Sequence, residues 1–437
     1  MKKQLVSALL VLTMGLALFG CGKKDEAEDD SVETSEVIEE PVDESAPFWE
    51  QTSEDGKVRS YLTGDWVDPE YGRQRPVAIM IENTKACLPQ YGIGNAGIIY
   101  ECVVEGGITR MMAIFDDYSG LSQIGNIRSS RPYYVYFASE YDAIYMHAGG
   151  NPAAFELIDD KNLVDNLNAL TLEGTKGKSA AFRTGTSEHT LYTNSDGIDI
   201  GIEKMNYDQS LPSNYEPHFS FAEDGNELTD GEDCEAIQLY YYTNKPYWVY
   251  NEDDGLYYRY EFNQKQVDAI TGEQLTAKNI IIQDVEWWTY EGSQYLGYLL
   301  SYNTGTGKYI TNGKMIDIVW SKDGDTDITH YYDLNSGEEI QLNIGTTWIQ
   351  ACQQDYTDQT VYYADKSDFS KAFSKGNLAF LIETPQAFPK GVRTEKYEYE
   401  SSITIFLVTK SLFLSLALSP KKVPATSIKE YSSTMVA

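Results

Sequence analysis

The sequence predicts an α+β protein, with a mixed α/β N-terminal region followed by a mainly antiparallel β C-terminal region. Three observations carry this reading. Pro76-Val77-Ala78-Ile79-Met80-Ile81 is a continuous apolar run bounded by turn residues, as expected of a strand buried on both faces. Beyond it, extended and helical stretches alternate to about Asp160. From Tyr240 to Tyr332 the pattern changes to fifteen tyrosines, with Trp248, Trp287, Trp288 and Trp320, cut by turns at short intervals. That is the texture of a twisted antiparallel sheet or small barrel. A chain of 437 residues, 42% hydrophobic and 13% aromatic, can build two or three domains with real cores.

The N-terminus reads as an address. Lys2 and Lys3 precede an apolar run from Leu5 to Phe19, and Gly20-Cys21 follows. A basic stretch, an apolar stretch and a small residue at a cleavage point make a secretory signal over residues 1–20. Leu18-Phe19-Gly20-Cys21 resembles a bacterial lipobox, with Phe19 bulkier than the residue usual there. The resemblance implies lipidation (palmitate-type acylation) of Cys21 and a protein held on the extracytoplasmic face of the cell membrane. An ordinary signal peptide or an N-terminal anchor is the competing reading, although the run is short of the ~20 residues a span needs.

Residues 21–60 read as an acidic tether. Asp25, Glu28, Asp29, Asp30, Glu39 and Glu40 are among the carboxylates whose mutual repulsion extends the chain. The first folded region spans 66–206. Ala96–Val104 and Ile108–Phe115 read as two strands broken by Gly106-Gly107. Ser129 or Ser130 can cap a helix opened by Pro132 and running to about Glu140. Ala143–Met146 reads as a strand, and Asn151-Pro152 opens a second helix to about Asp160. A polar linker is expected at 207–234. In the β-rich region, 235–352, the stretches Tyr247–Tyr250 and Leu256–Phe262 flank Asp253-Asp254-Gly255, a hairpin signal. The remainder, 353–437, is an atypical extension. Its apolar stretch Ile403–Ser419 reads as a second membrane segment, a buried helix or strand, or an altered reading frame.

Composition excludes some chemistry. The net charge of −33 repels polyanions, so nucleic acid is not an expected partner. Cys87, Cys102, Cys234 and Cys352 form no CxxC, and their disulfide state is open. The four histidines show no ligand spacing, so no metal site and no cofactor are expected. GxSxG and P-loop patterns are also absent from the sequence.

Several segments in one order resemble the YerB-like family of bacterial lipoproteins, the domain of unknown function 3048, in its N- and C-terminal halves. They are Arg75–Asn83, Val104–Arg110, Ile127–Pro132 and Tyr141–Gly150, then Val267–Gly272 and Gly345–Ile349. The resemblance implies an extracytoplasmic lipoprotein and adds no reaction. The family pattern stops near Trp348, whereas this chain continues to Ala437.

Two site hypotheses follow from the residues. Arg110, Arg128 and Arg131 lie close in sequence, and His147, Gly149 and Gly150 lead into a helix N-terminus. Guanidiniums converging with free amides would bind a carboxylate or phosphate group. The competing account pairs these arginines internally with Glu101, Glu105 and Asp142. The expected function is therefore binding of an envelope protein or cell-wall component. The alternative is a cell-envelope hydrolase using Glu101 and Glu105. An extended chain would hold those two about 13 Å apart, against the ~5–9.5 Å that glycoside hydrolysis needs.

Overall fold

The computed structural model describes residues 47–374 and, as backbone alone, the strands Tyr399–Val408 and Ser411–Pro420. The expected signal segment, Cys21 and the expected tether as far as residue 46 lie outside the described residues. Residues 47–60, expected in the tether, belong instead to the folded body. Phe48 and Trp49 pack on Phe221, with ring centroids 6.1 and 5.7 Å away.

Twelve strands form one mixed sheet. Its principal strands and those of a second sheet are, in chain order, β1 (Val77–Asn83), β2 (Ile98–Val103), β3 (Thr109–Phe115), β4 (Ile144–His147), β5 (Asn166–Asn168), β6 (Ala236–Gln238), β7 (Tyr247–Asn251), β8 (Leu256–Glu261), β9 (Asn279–Thr289), β10 (Asn303–Thr311), β11 (Lys314–Lys322) and β12 (Thr347–Gln353). The large sheet runs β11-β10-β9-β12-β2-β3-β1-β4-β5, and β6, β7 and β8 belong to the second. The α+β class read from the sequence holds.

The boundary expected at 207–234 does not interrupt the large sheet. Strand β12 pairs in parallel with β9 on one side, Ile349 beside Ile281, and with β2 on the other, Ile349 beside Tyr100. Within the supposed linker, Ser220–Ala222 pairs in parallel with Gln341–Asn343. The body also extends past residue 352: Val361–Tyr363 pairs with β6, and Phe369 of the helix Lys366–Ser374 packs on Tyr247 at 5.1 Å. Tyr399–Val408 and Ser411–Pro420 pair antiparallel, Ile403 opposite Leu416. Among the described residues, no helix is long and apolar enough to cross a membrane.

Every residue of β1, β2, β3 and β12 is buried. This is why β1 reads as a near-continuous apolar run rather than an alternating one. Helix α1 (Pro132–Ser139) covers one face: Phe137 stacks on Tyr100 at 4.3 Å and the Tyr134 hydroxyl donates to the Arg110 carbonyl. Neither expected serine caps it, for Arg131 occupies the cap position without a side-chain bond. Asn151 does cap the next helix, Pro152–Phe155, through its Oδ1 and the Ala154 amide. Among the tyrosines of the second region, Tyr241, Tyr257, Tyr298, Tyr309 and Tyr331 are buried in the core, whereas Tyr242 and Tyr302 are exposed.

The opposite face of the large sheet carries a polar cluster. Glu101 accepts from Arg259 Nη2 at 2.6 Å, Thr109 at 2.7 Å, Asn244 at 3.0 Å and Asn83 at 3.1 Å, and both charged partners are fully buried. Arg259 also lies over the rings of Trp348 and Trp248, at 4.5 and 5.0 Å, and these two rings meet edge to face at 5.0 Å. Removing one member of such a pair strands the other charge in a low dielectric. Arg259→Ala is expected to cost about 3–5 kcal/mol in denaturant unfolding. The double variant with Glu101→Gln should cost less than the sum of the singles, and strict additivity would show the pair uncoupled.

Beside this pair, burial pushes the Glu261 carboxyl up to about 7, opposed by Arg259 and reinforced by Glu101. A carboxyl with its folded pKa raised adds stability that is complete below its unfolded value and is lost as pH rises through about 7. Glu261→Gln should therefore flatten the fall in thermal midpoint across that window. An unchanged slope would assign the pH dependence elsewhere.

Candidate functional site

At one end of the central strands, polar side chains replace the apolar run. Glu82, near the end of β1, lies opposite Arg110, near the start of β3. The segment entering α1 is pinned alongside: Ile127 bridges Ile81, and the Arg128 amide donates to the Met80 carbonyl at 3.0 Å. This places Arg128 against Glu82. The turn Glu105–Gly107 joins β2 to β3 and brings Glu105 to Arg131, and the turn Glu188–Thr190 supplies Glu188 and His189.

The three arginines are in different states. Arg131 is committed, its Nε and Nη2 bracketing the Glu105 carboxylate (Nε to Oε1 2.8 Å) and its Nη1 donating to the Ser130 carbonyl. Burial works against the Glu105 charge, but the Arg131 hydrogen bonds and charge win and hold its carboxyl below the usual range. Arg128 bridges two carboxylates, Glu82 at 3.0 Å and Glu188 at 3.3 Å, and stays partly exposed. Arg110 differs. It is 7% exposed, donates from Nη1 to the Ser129 carbonyl at 2.9 Å, and makes no ion pair among the described residues. Burial, with Arg131 and Arg128 adding to it, lowers its pKa to about 10, so a partly desolvated positive charge has other guanidiniums as neighbours.

His147, Gly149 and Gly150 do not join this cluster as an open anion hole. His147 is fully buried, and its ring bonds the Gly149 carbonyl at 2.8 Å and Asn166 Oδ1 at 3.4 Å. The Gly149 amide is already taken by Asn168 Oδ1, and Ser130 and Gly150 form a bridge. Asn151 fills the helix N-terminus that follows. Gly149 has φ +71°, where other residues are strained, which accounts for the glycine as a turn residue.

Glu101 and Glu105 serve separate partners. Arg110 stands beside Cys102 in the β2–β3 ladder, so strand alternation puts Glu101 on the opposite face from Arg110. Glu101 is sealed against Arg259, while Glu105 faces Arg131. The internal partners expected for the arginines are met only by Glu105, since Glu101 pairs with Arg259 and Asp142 pairs with Arg75 at 3.2 Å.

Sequence reading missed Glu82, Cys87, Glu188 and His189. His189 Nδ1 lies 2.9 Å from Glu82 Oε2, and the Thr84 hydroxyl sits 3.0 Å from Glu82 Oε1 and 3.5 Å from Cys87 Sγ. Positions 82–87 and 188–189 are about 100 residues apart, so no local motif could join them. The one available signal was a carboxylate, Glu82, ending an apolar strand. All four cysteines among the described residues are buried free thiols.

Residues 62–208 match the family model described as "Protein of unknown function (DUF3048) N-terminal domain", and residues 237–349 match its C-terminal domain. A curated relative from Bacillus subtilis (strain 168), named "Putative lipoprotein YerB", is 25% identical over 303 residues, covering 67% of this chain and 86% of its own. The crystal structure of YerB from Bacillus subtilis superposes with a TM-score of 0.61 at 24% identity, covering 70% of this chain and all of that one. Every segment through which the sequence resembled that family falls inside the two matched regions, and the chain belongs to the DUF3048 family.

Proposed function

We propose that this protein is a lipid-anchored protein of the bacterial cell envelope, on the extracytoplasmic face of the membrane, and that it binds an envelope protein or cell-wall component through one carboxylate or phosphate group at Arg110. The observation that carries the binding reading is the state of Arg110, a nearly buried guanidinium without a carboxylate partner, beside a second and a third. Arg131 and Glu105 frame it. Arg128, shared between Glu82 and the exposed Glu188, can turn toward an incoming anion, because its bond to a solvated carboxylate is weak. Charge-assisted bonds from such groups contribute ~1.5–3 kcal/mol each before desolvation.

The protein's overall charge narrows the ligand. At −33, the body repels a polyanion, whereas a single anionic group approaching within the ~8 Å screening length meets the Arg110 guanidinium, which no carboxylate of the cluster pairs. The anchor reading rests on the lipobox at Cys21 and on the name of the Bacillus subtilis relative.

Co-sedimentation of the full chain with purified cell walls, competed by inorganic phosphate, tests the binding site. Arg110→Ala should weaken retention at least ~10-fold, the loss of one charge-assisted bond, while Arg183→Ala, a surface arginine paired with Glu173, should not. Equal retention of both variants would overturn the site. For the anchor, Cys21→Ala should abolish incorporation of labelled fatty acid, and persistent labelling would refute lipidation there.

A further inference from the structure

We propose that Glu82, Cys87 and His189 form a binding site for one divalent transition-metal ion of the zinc type, separate from the anion reading above. One oxygen, one sulfur and one nitrogen ligand atom from these residues all lie within 4.8 Å of one another. A tetrahedral ion with bonds of about 2.0–2.3 Å to such donors needs ligand atoms roughly 3.4–3.7 Å apart. A contraction of about an ångström therefore closes the site, within reach of side-chain rotation alone. The mixed oxygen, nitrogen and thiolate set suits a borderline-soft ion and is a poor match for calcium or magnesium, which take oxygen ligands.

The surroundings are those of a supported site with one open side. Glu82 is 1% and Cys87 5% exposed, whereas the His189 side chain is 31% exposed, so an ion can enter past the imidazole and keep a water as fourth ligand. The ion would take the place now held by the hydrogen bond between His189 Nδ1 and Glu82 Oε2. That fixes the proton on Nε2, which faces Glu188 Oε1 at 3.7 Å, a carboxylate–histidine–metal arrangement. Thr84 sits against both Glu82 Oε1 and Cys87 Sγ, and the Ser187 hydroxyl accepts from the His189 amide, so both ligand-bearing turns are held in place. On binding, the Cys87 S–H bond breaks, a sulfur–metal bond forms and the proton leaves to solvent.

One neighbour opposes the ion. Arg128 Nε lies 3.0 Å from Glu82 Oε2, so a cation must displace this guanidinium, which keeps Glu188 as its partner. This gives the site a signature that an acidic patch would not show, because removing a positive side chain at Arg128 should tighten metal binding rather than leave it unchanged.

The test is titration of the untagged, reduced full chain with Co²⁺, reading the thiolate-to-cobalt charge-transfer band and the visible bands of four-coordinate cobalt, with Zn²⁺ as competitor. One equivalent of Co²⁺ should produce both bands. Cys87→Ser should abolish the charge-transfer band and His189→Gln should weaken binding at least ~10-fold. Glu188→Gln should weaken it roughly 10–100-fold, and Arg128→Ala should strengthen it. No charge-transfer band at one equivalent, or an equal band in Cys87→Ser, would overturn the site. Circular dichroism of each variant monitors folding, and His189→Gln alters only a partly exposed turn, so unchanged cobalt affinity in that variant alone is enough to reject the proposal.

Discussion

The architecture turns on one strand. Thr347–Gln353 is hydrogen-bonded in parallel to Ile98–Val103 on one side and to Asn279–Thr289 on the other, so the two family-matched regions share a single ladder. Buried backbone amides and carbonyls need partners, and without this strand both flanking edges would lose theirs. Chain connectivity puts a division near residues 207–234, but hydrogen bonding does not.

The same junction explains why so polar a cluster lies in a protein interior. The Glu101–Arg259 pair joins a residue of β2 to one of β8, and Asn244 reaches both Glu101 and Glu261, at 3.0 and 3.1 Å. An apolar filling would bury surface equally well but would tolerate sliding of one sheet over the other. A directional charge pair whose guanidinium rests against two indoles fixes one registration, which is the best-attested use of buried ionic groups. The opposite face of that sheet, reached one residue along β2 at Cys102 and its partner Arg110, carries the arginine cluster. Strand alternation thus separates the Glu101–Arg259 pair from Arg110, unpaired among the described residues, although Glu101 and Arg110 stand nine positions apart.

Legibility in the sequence followed the range of the forces involved. Strands β1 to β4 and the Pro132 and Pro152 helices were readable because apolar runs, prolines and the Asn151 cap act over a few residues. The pairing of β12 with β2 was invisible, since nothing in Gly345-Thr346-Thr347-Trp348-Ile349 states which edge will receive it. Within the site, Arg110, Arg128 and Arg131 were singled out as a group; the structure makes them neighbours of one another, with Arg131 on Glu105 and Arg128 on Glu82 and Glu188. His147 and Gly149-Gly150 were misread as an open anion hole because Asn168, which takes up the Gly149 amide, comes from a strand that sequence spacing does not place there. Glu82 and His189 were passed over for the same reason, being brought together only by tertiary structure.

The parallel pairing of β12 with β2 joins segments about 250 residues apart, and closing so distant a contact is slow compared with forming hairpins. Synthesis runs from the N-terminus, so Ile98-Ile99-Tyr100 leaves the ribosome long before its partner exists. In that interval β2 pairs with β3 alone and offers the other edge, apolar and rich in free amides, to any strand that arrives first. A nascent or truncated chain lacking residues 347–353 is thus a template for association with copies of itself, and the Arg110 cluster, built on the same β2–β3 hairpin, inherits that vulnerability.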